Sequence, residues 1–310
     1  MTKVGIVITD PQRFDAADTM RDAVPLLAAL HRRGAEARAV DWADPEVDWA
    51  GFDLVVLRSP WDYAVRPREF DAWLERADSL TRVLNEPALV RWNMDKRYLA
   101  QLETAGIPGV PTSYHEEESS LVDALAAAAR GTGGSGGPAD GAGTPAHVVL
   151  KPTVGAGARL TGLLRPDDPA ASALGRQILA GPGTVMLQPE VPELSAGREK
   201  ALYLVDGRFT HAIAKGALLA PGGGLRGGSY RETPQLVEAS AAERAFAEQV
   251  LATTATVTGL AMPLYARIDI VESATDGLLL LEAELFEPLF HLPLAPAVTE
   301  VFAEAILARA

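Results

Sequence analysis

Two apolar segments near the end of the chain carry carboxylates where a buried strand would normally exclude them. The first reads Tyr265-Ala266-Arg267-Ile268-Asp269-Ile270, and the second runs from Leu278–Leu281 into Glu282-Ala283-Glu284-Leu285-Phe286-Glu287-Pro288. Side chains alternate across a strand, so Arg267, Asp269 and Val271 share one face, as do Glu282 and Glu284. A turn at Glu272–Gly277 would pair the two strands and bring three carboxylates and an arginine together. Adjacent carboxylates repel, and burying them uncompensated is costly. A hard divalent cation removes the conflict, and Mg²⁺ typically takes a few carboxylates together with phosphate oxygens. The alternative is a solvated charged hairpin, and the run Leu278–Leu281 argues against it.

The rest of the composition narrows the function classes. The chain has 310 residues, of which 48% are hydrophobic, enough for two or three lobes with real cores. With 41 acidic against 28 basic residues the net charge is −13, which disfavours a nucleic-acid partner. A small anion such as a nucleotide remains acceptable, because a few local cations and a metal can hold it. Cysteine is absent, which excludes disulfides, thiolate metal sites and cysteine nucleophiles. No apolar stretch reaches membrane-span length, and a strand-like Val4–Ile8 follows the start directly, so a cytoplasmic protein without a signal peptide is expected.

The first 85 residues alternate between strand and helix patterns. Strands are expected at Val4–Ile8, Ala35–Val40, Phe52–Leu57 and Arg82–Leu84, with helices over Ala16–Arg33 and Phe70–Ala77. Such β-α-β order predicts a parallel sheet with helices on its faces. Asn93 is expected to cap a helix through Leu99 and Leu102 that Gly106 ends. An Ala-rich helix, Leu121–Arg130, precedes Gly131–Ala146, where seven of sixteen residues are glycine; a flexible surface insertion is expected there. Beyond it, strands at His147–Lys151, Thr184–Gln188, Ala201–Val205, Phe209–Lys215, Leu264–Val271 and Gly277–Leu285 are mostly joined as hairpins. Val205-Asp206-Gly207-Arg208 is a clear turn, so this part is α+β and mainly antiparallel.

A second cluster is Val148-Val149-Leu150-Lys151-Pro152-Thr153-Val154-Gly155-Ala156-Gly157-Ala158-Arg159. A lysine closing an apolar strand before a small-residue loop can present an ammonium and backbone N–H groups to phosphates. Taken in order, these pieces resemble the ATP-grasp superfamily, in particular carboxylate–amine ligases like glutathione synthetase. The matching positions are Lys96 in Trp92-Asn93-Met94-Asp95-Lys96, Lys151 with Gly155 and Gly157, the hinge Gln188-Pro189-Glu190-Val191-Pro192-Glu193, and Asp269, Glu282 and Glu284. The resemblance spans about residues 90–295.

The resemblance implies an α/β and α+β fold with an N-terminal pre-ATP-grasp domain at 1–88. A central lobe at 89–192, containing the insertion 131–146, and a C-terminal lobe at 193–310 would clasp ATP between them. It implies that Lys96 and Lys151 neutralise the α- and β-phosphates while the 155–159 loop covers the γ-phosphate. The hinge at Gln188, Glu190 and Val191 would meet adenine and Glu193 the ribose. Asp269, Glu282 and Glu284 would hold two Mg²⁺ ions, for which Mn²⁺ would substitute. Arg267, Lys215 and Arg226 would serve the transferring phosphoryl and the acyl acceptor. A homodimer is a common arrangement in the superfamily.

The substrate side is expected at Arg58-Ser59-Pro60-Trp61-Asp62-Tyr63, which follows a strand at the sheet's carboxyl end, where open α/β sheets bind ligands. Arg58, Ser59, Trp61 and Asp62 are the candidates, and Glu287 is placed to meet a substrate amine. The five histidines show no metal-ligand spacing. Arg-Ser-Pro-Trp-Asp-Tyr, Trp-Asn-x-Asp-Lys, Tyr-Ala-Arg-x-Asp and Glu-x-Glu-x-x-Glu-Pro together resemble the cyclo-ligases of D-cycloserine biosynthesis, which close O-ureido-D-serine into a ring. The expected partner is therefore a small amino-acid-like molecule, its carboxylate activated as an acyl phosphate and joined to an amine within one molecule or between two. A small-molecule kinase and a non-catalytic ATP-binding regulator of the same fold are the alternatives.

Overall fold

The computed structural model describes residues 1–310 apart from 11, 13–15, 132–146, 182 and 227–232. The Gly131–Ala146 insertion therefore lies, beyond its first residue, outside the described residues. Three sheets organise the chain. The first is parallel, with strands β1 (Lys3–Ile8), β2 (Glu36–Asp41), β3 (Leu54–Ser59) and β4 (Arg82–Leu84) in the order β2-β1-β3-β4. The central strands β1 and β3 are short apolar runs buried on both faces, as expected where helices cover a parallel sheet, while the edge strand β2 exposes Glu36 and Arg38.

The helix expected over Ala16–Arg33 is two helices, α1 (Ala16–Met20) and α2 (Ala23–Arg32). Pro25 explains the break: it lacks an N–H, so it is accommodated only in a first turn. The interruption frees Asp22, whose carboxylate accepts the N–H of Leu292 at 2.8 Å and that of Phe290. Helix α3 (Pro67–Asp78) completes the first domain. The expected cap at Asn93 is also corrected: Asn93 lies inside α4 (Pro87–Met94), and the helix resumes as α5 (Tyr98–Thr104).

The middle sheet comprises β5 (Ser113–His115), β6 (Val148–Pro152), β7 (Gly162–Leu164) and β8 (Val185–Pro189), all antiparallel, in the order β5-β8-β6-β7. Helices α6 (Glu118–Ala129) and α7 (Pro169–Ala180) cover it. After the single turn α8 (Pro192–Ser195) comes the largest sheet, also antiparallel. Its strands are β9 (Lys200–Val205), β10 (Arg208–Ala214), β11 (Gln235–Val237), β12 (Tyr265–Ser273) and β13 (Gly277–Glu284), in the order β11-β10-β9-β12-β13. The β9–β10 turn has Asp206 at φ 54° and Gly207 at φ 74°, the left-handed pair that tight hairpins need.

Helix α9 (Ala241–Thr258) packs on one face of this sheet together with α4 and α5. Residues 89–104, expected to belong to the central lobe, thus pack against the C-terminal sheet. The other face joins the first domain and α10 (Pro296–Leu307) in one continuous core. Among the described residues no helix is long and apolar enough to cross a membrane.

The stretch after β13 is threaded into the first domain. Phe286 enters an aromatic cluster, 5.0 Å from the Tyr63 ring and 6.2 Å from Phe70 by centroids, and Phe290 packs beside Phe302 of α10. Fully burying such a ring is worth about 2–3 kcal/mol, so this stretch is anchored, not draped. His211 on β10 helps hold it: Nε2 lies 2.9 Å from Phe290 O, and the ring stacks on Tyr203 at 4.3 Å.

Burial pushes the His211 imidazole down to about 4, despite the favourable bond to Phe290. The unfolded chain therefore binds a proton below about 6.5 that the folded chain refuses until about 4. Stability from His211 is full above the unfolded value and falls as pH drops through this window. We expect His211→Gln, which retains a donor for Phe290, to lose about 2 kcal/mol less than wild type in urea denaturation between pH 7 and 4.5. Parallel pH profiles for the two proteins would contradict this.

Candidate active site

β12 and β13 bring the expected carboxylates together. Arg267 pairs with Glu284 and Asp269 with Glu282 across the ladder, with a register shift just after Asp269. β13 is an edge strand, and an exposed edge invites pairing with other chains. Side chains of earlier elements occupy it instead. Asn93 Nδ2 donates to Ala283 O at 2.8 Å and its Oδ1 accepts Leu285 N at 2.9 Å. The Tyr98 hydroxyl donates to Ala283 O and accepts Ala283 N, and Asn85 donates to Leu285 O. Pro108 O takes the N–H of Leu280 at 2.8 Å. These contacts fix the backbone on either side of Glu282 and Glu284.

Each carboxylate is compensated by a protein cation. Lys215 Nζ lies 2.8 Å from Asp269 and 3.0 Å from Glu199. Arg267 makes two bonds to Asp269, at 2.9 and 2.8 Å, and also pairs with Glu284. Lys96 Nζ sits 2.9 Å from Glu282 and donates to Gly155 O at 2.8 Å. Burial disfavours ionisation throughout, but Arg267 and Lys215 outweigh it at Asp269 and hold that carboxyl below its usual range. Lys96 and Lys151 do the same for Glu282. At Glu284 burial wins over Arg267, and the charges of Glu282 and Asp269 add to it, lifting that carboxyl to about 7. Lys151 is lowered by burial, with Lys96 adding to the effect.

As these side chains stand, no three carboxylates or imidazoles among the described residues converge on a common cation position. The donor set nevertheless fits a hard divalent ion: one buried carboxylate, Asp269, and two half-buried ones, Glu282 and Glu284, all oxygen ligands, one of them lifted to about 7 partly by its neighbours' charges. The Lys151 ammonium makes no hydrogen bond or ion pair among the described residues, which leaves it available to an anion.

The groups border one cavity of about 580 Å³ between the sheets. Lys96, Lys151, Lys215, Arg267 and all three metal candidates line it, as do Gly155, Gly157, Gln188, Glu190 and Val191. Lys96 N donates to Thr153 O at 2.9 Å, so Lys96 and Lys151 are tied together through the end of β6. The 155–159 loop backbone is unusual, with Gly157 at φ 60° and Ala158 at φ 51°. At the first-domain end the cavity meets Trp61, Val65, Leu289 and Glu287. Glu287 is gripped from the first domain: Trp61 Nε1 donates to its backbone O at 3.0 Å, and the Tyr63 hydroxyl donates to Oε1. Its Oε2 is buried without a partner. Burial first, then the Glu284 charge, pushes this carboxyl well above its ordinary value.

Several candidates do not reach the cavity. Arg58 is fully buried, bonded to Pro288 O at 2.7 Å and Asp22 at 3.3 Å, with its guanidinium over the rings of Tyr265, Phe290 and Phe302. Ser59 donates to Thr19 O at 2.9 Å. Asp62 accepts from Thr9 at 2.9 Å, Trp42 at 2.6 Å and Arg66 at 2.9 Å. Ser59 and Asp62 spend their polar groups inside the first domain, and Arg58 reaches across to Pro288 with its Nε and Nη1 buried without a hydrogen-bond partner among the described residues, so the three build the framework behind Trp61 and Tyr63. Arg226 donates to Leu219 O at 2.8 Å and is exposed outside the cavity wall. Glu193 accepts Ala274 N at 3.0 Å and is likewise outside it.

Glu199 and Tyr63 border or support the site without having been expected there. Glu199 sits among unremarkable charged neighbours, Arg198 and Lys200, so nothing in the sequence marked it. Tyr63 ends the aromatic motif that was read for its first residues.

Residues 4–85 match the family described as D-cycloserine synthetase DcsG, N-terminal domain. The cycloserine biosynthesis protein DcsG of Streptomyces lavendulae is 36% identical over 296 residues, covering 93% of each chain. A crystal structure of D-cycloserine synthetase DcsG superposes with a TM-score of 0.84 at 33% identity, covering 99% of both chains. The ATP-grasp ligase PsnB, in complex with a minimal precursor, shares the fold at a TM-score of 0.62 and 19% identity, covering 100% of this chain and 99% of its own. The chain has the ATP-grasp fold and belongs to the DcsG family.

Proposed function

We propose that the protein is an ADP-forming ligase that activates the carboxylate of O-ureido-D-serine or a close analogue and closes it into the D-cycloserine ring. What supports this reading is one continuous cavity with candidate phosphate lysines and three carboxylates at one end and, at the other, Trp61 of a DcsG-type first domain beside Glu287 of the stretch after β13. ATP would lie with its base at Gln188 and Val191 and its phosphates at Lys96, Lys151 and the 155–159 loop. For the ribose hydroxyls Glu199, which the sequence did not single out, is better placed than Glu193, since it lines the cavity and Glu193 does not.

Asp269, Glu282 and Glu284 would hold two Mg²⁺ ions, or Mn²⁺ in their place, which supply charge neutralisation across the β- and γ-phosphates. The chain's own groups do the rest. Lys96 and Lys215 exchange their carboxylate partners for phosphate oxygens, and Arg267 faces the transferring phosphoryl. The substrate carboxylate attacks the γ-phosphorus, ADP leaves, and the acyl phosphate stays in a cavity walled by Trp61, Val65 and Leu289. A nitrogen of the same molecule then displaces phosphate. Glu287, held by Tyr63, accepts the N–H of the substrate amine through its unpartnered Oε2. Positioning and exclusion of water dominate, because water would hydrolyse the intermediate.

Hydroxylamine added to enzyme, MgATP and O-ureido-D-serine is expected to trap a hydroxamate, with ADP as the nucleotide product. AMP and pyrophosphate would exclude the acyl-phosphate route, and a stable phosphate ester without hydroxamate would make the protein a kinase. Asp269→Asn keeps the shape but removes an anionic ligand and the partner of both Lys215 and Arg267. Loss of an outer partner to a metal ligand already costs 10–100-fold, so we expect ADP release to fall by at least about a hundredfold. Near-wild-type turnover of this variant would refute the metal assignment.

A further inference from the structure

The hinge carries a three-way contact that this reaction scheme leaves unused. Glu190 lies in the cavity wall just beyond β8, and both of its carboxylate oxygens are engaged. His147 Nδ1 lies 3.1 Å from Oε2, and Ser195 Oγ donates to Oε1 at 2.6 Å. A carboxylate only accepts, so Nδ1 carries the proton in this contact. The backbone N–H of Glu190 also donates to His147 O, at 3.0 Å. Main chain and side chain of one hinge residue are thus tied to the same partner.

The partners come from different elements. Ser195 is the last residue of α8, and His147 immediately precedes β6, which carries Lys151 four residues on. At roughly 3.3 Å per residue, β6 sets a span of about 13 Å between the hinge contact and the phosphate lysine. The two bonds use one lone pair on each oxygen and fix the side chain, and with the backbone bond to His147 O they hold the main chain from Pro189 to Val191, against which a flat base would lie.

We infer that His147, together with Ser195, is a positioning residue for the purine base: it holds Glu190 and through it the hinge backbone that reads the base. This rests on the cavity being the nucleotide site. It concerns the base end alone, so binding of the phosphate chain is independent of it.

The test is equilibrium binding by displacement of a fluorescent ADP analogue in the presence of Mg²⁺, with ADP and inorganic tripolyphosphate as competitors. Removing a hydrogen bond to a charged group should raise the Kd of ADP about tenfold in His147→Ala. Tripolyphosphate, which meets only the lysines and the metal, should bind as in wild type. His147→Asn can place a side-chain N–H near the Nδ1 position and should restore ADP binding to within about threefold of wild type. Ser195→Ala, acting on the other oxygen, should weaken ADP in the same selective way and serves if the His147 variants fold poorly. Unchanged ADP affinity in His147→Ala and Ser195→Ala would overturn the inference. So would equal weakening of ADP and tripolyphosphate, or an Asn variant no better than Ala. Failure of the wild type to bind ADP at all would overturn the nucleotide reading as well, whereas tight wild-type binding with indifferent variants overturns this inference alone.

Discussion

Burying like charges on one face of a hairpin is the constraint around which this molecule is arranged. Asp269, Glu282 and Glu284 sit opposite or beside one another on β12 and β13, in a region where an uncompensated carboxylate is costly. Lys96, Lys215 and Arg267 compensate them, and they come from three separate parts of the chain. Lys96 leads into α5, Lys215 follows β10 and Arg267 is on β12 itself. Assembling the cluster therefore requires the linker helices and the C-terminal sheet to be packed together. In the proposed reaction the same cations are the groups a phosphate chain would take over, so the resting ion pairs would double as a store of ligands.

The second dependency runs between the first domain and the stretch after β13. Asp22, Arg58, Trp61 and Tyr63 all bond to residues 287–292, and Phe286 is buried in the first domain's aromatic cluster. Glu287 lies three residues beyond Glu284, so whatever fixes this stretch also fixes the proposed substrate end of the cavity relative to its proposed phosphate end. Arg58 illustrates why polar residues in a motif need not touch a ligand. Its contacts are a carbonyl, a carboxylate and three aromatic rings, and its removal would loosen the frame behind Trp61.

The legible parts of the fold were those with strong periodicity. The parallel strands, the hairpin at Asp206-Gly207 and the pairing of β12 with β13 follow from apolar runs and turn residues. The three-residue strands β5, β7 and β11 carry too short a pattern to register. Pro25 could have signalled the break between α1 and α2, but the apolar spacing of Met20, Val24 and Leu27 masked it. Asn93 reads as a cap because Asn favours that position; its actual use, satisfying Ala283 and Leu285, is a contact across some 190 residues that local pattern does not encode. At the cavity, residues of the Lys151 and β12–β13 motifs line the wall, Arg58, Ser59 and Asp62 of an equally dense motif do not, and Glu199 and His147 were not singled out because their partners are distant in sequence.

The central claim is that the three carboxylates exchange protein cations for divalent ions when nucleotide arrives. Its most direct test is anomalous diffraction from crystals grown with Mn²⁺ and a non-hydrolysable ATP analogue. The account predicts Mn²⁺ contacted by Asp269, Glu282 and Glu284, with Lys96 Nζ moved from Glu282 to a phosphate oxygen. Mn²⁺ bound elsewhere, or an intact Lys96–Glu282 pair beside bound nucleotide, would contradict it.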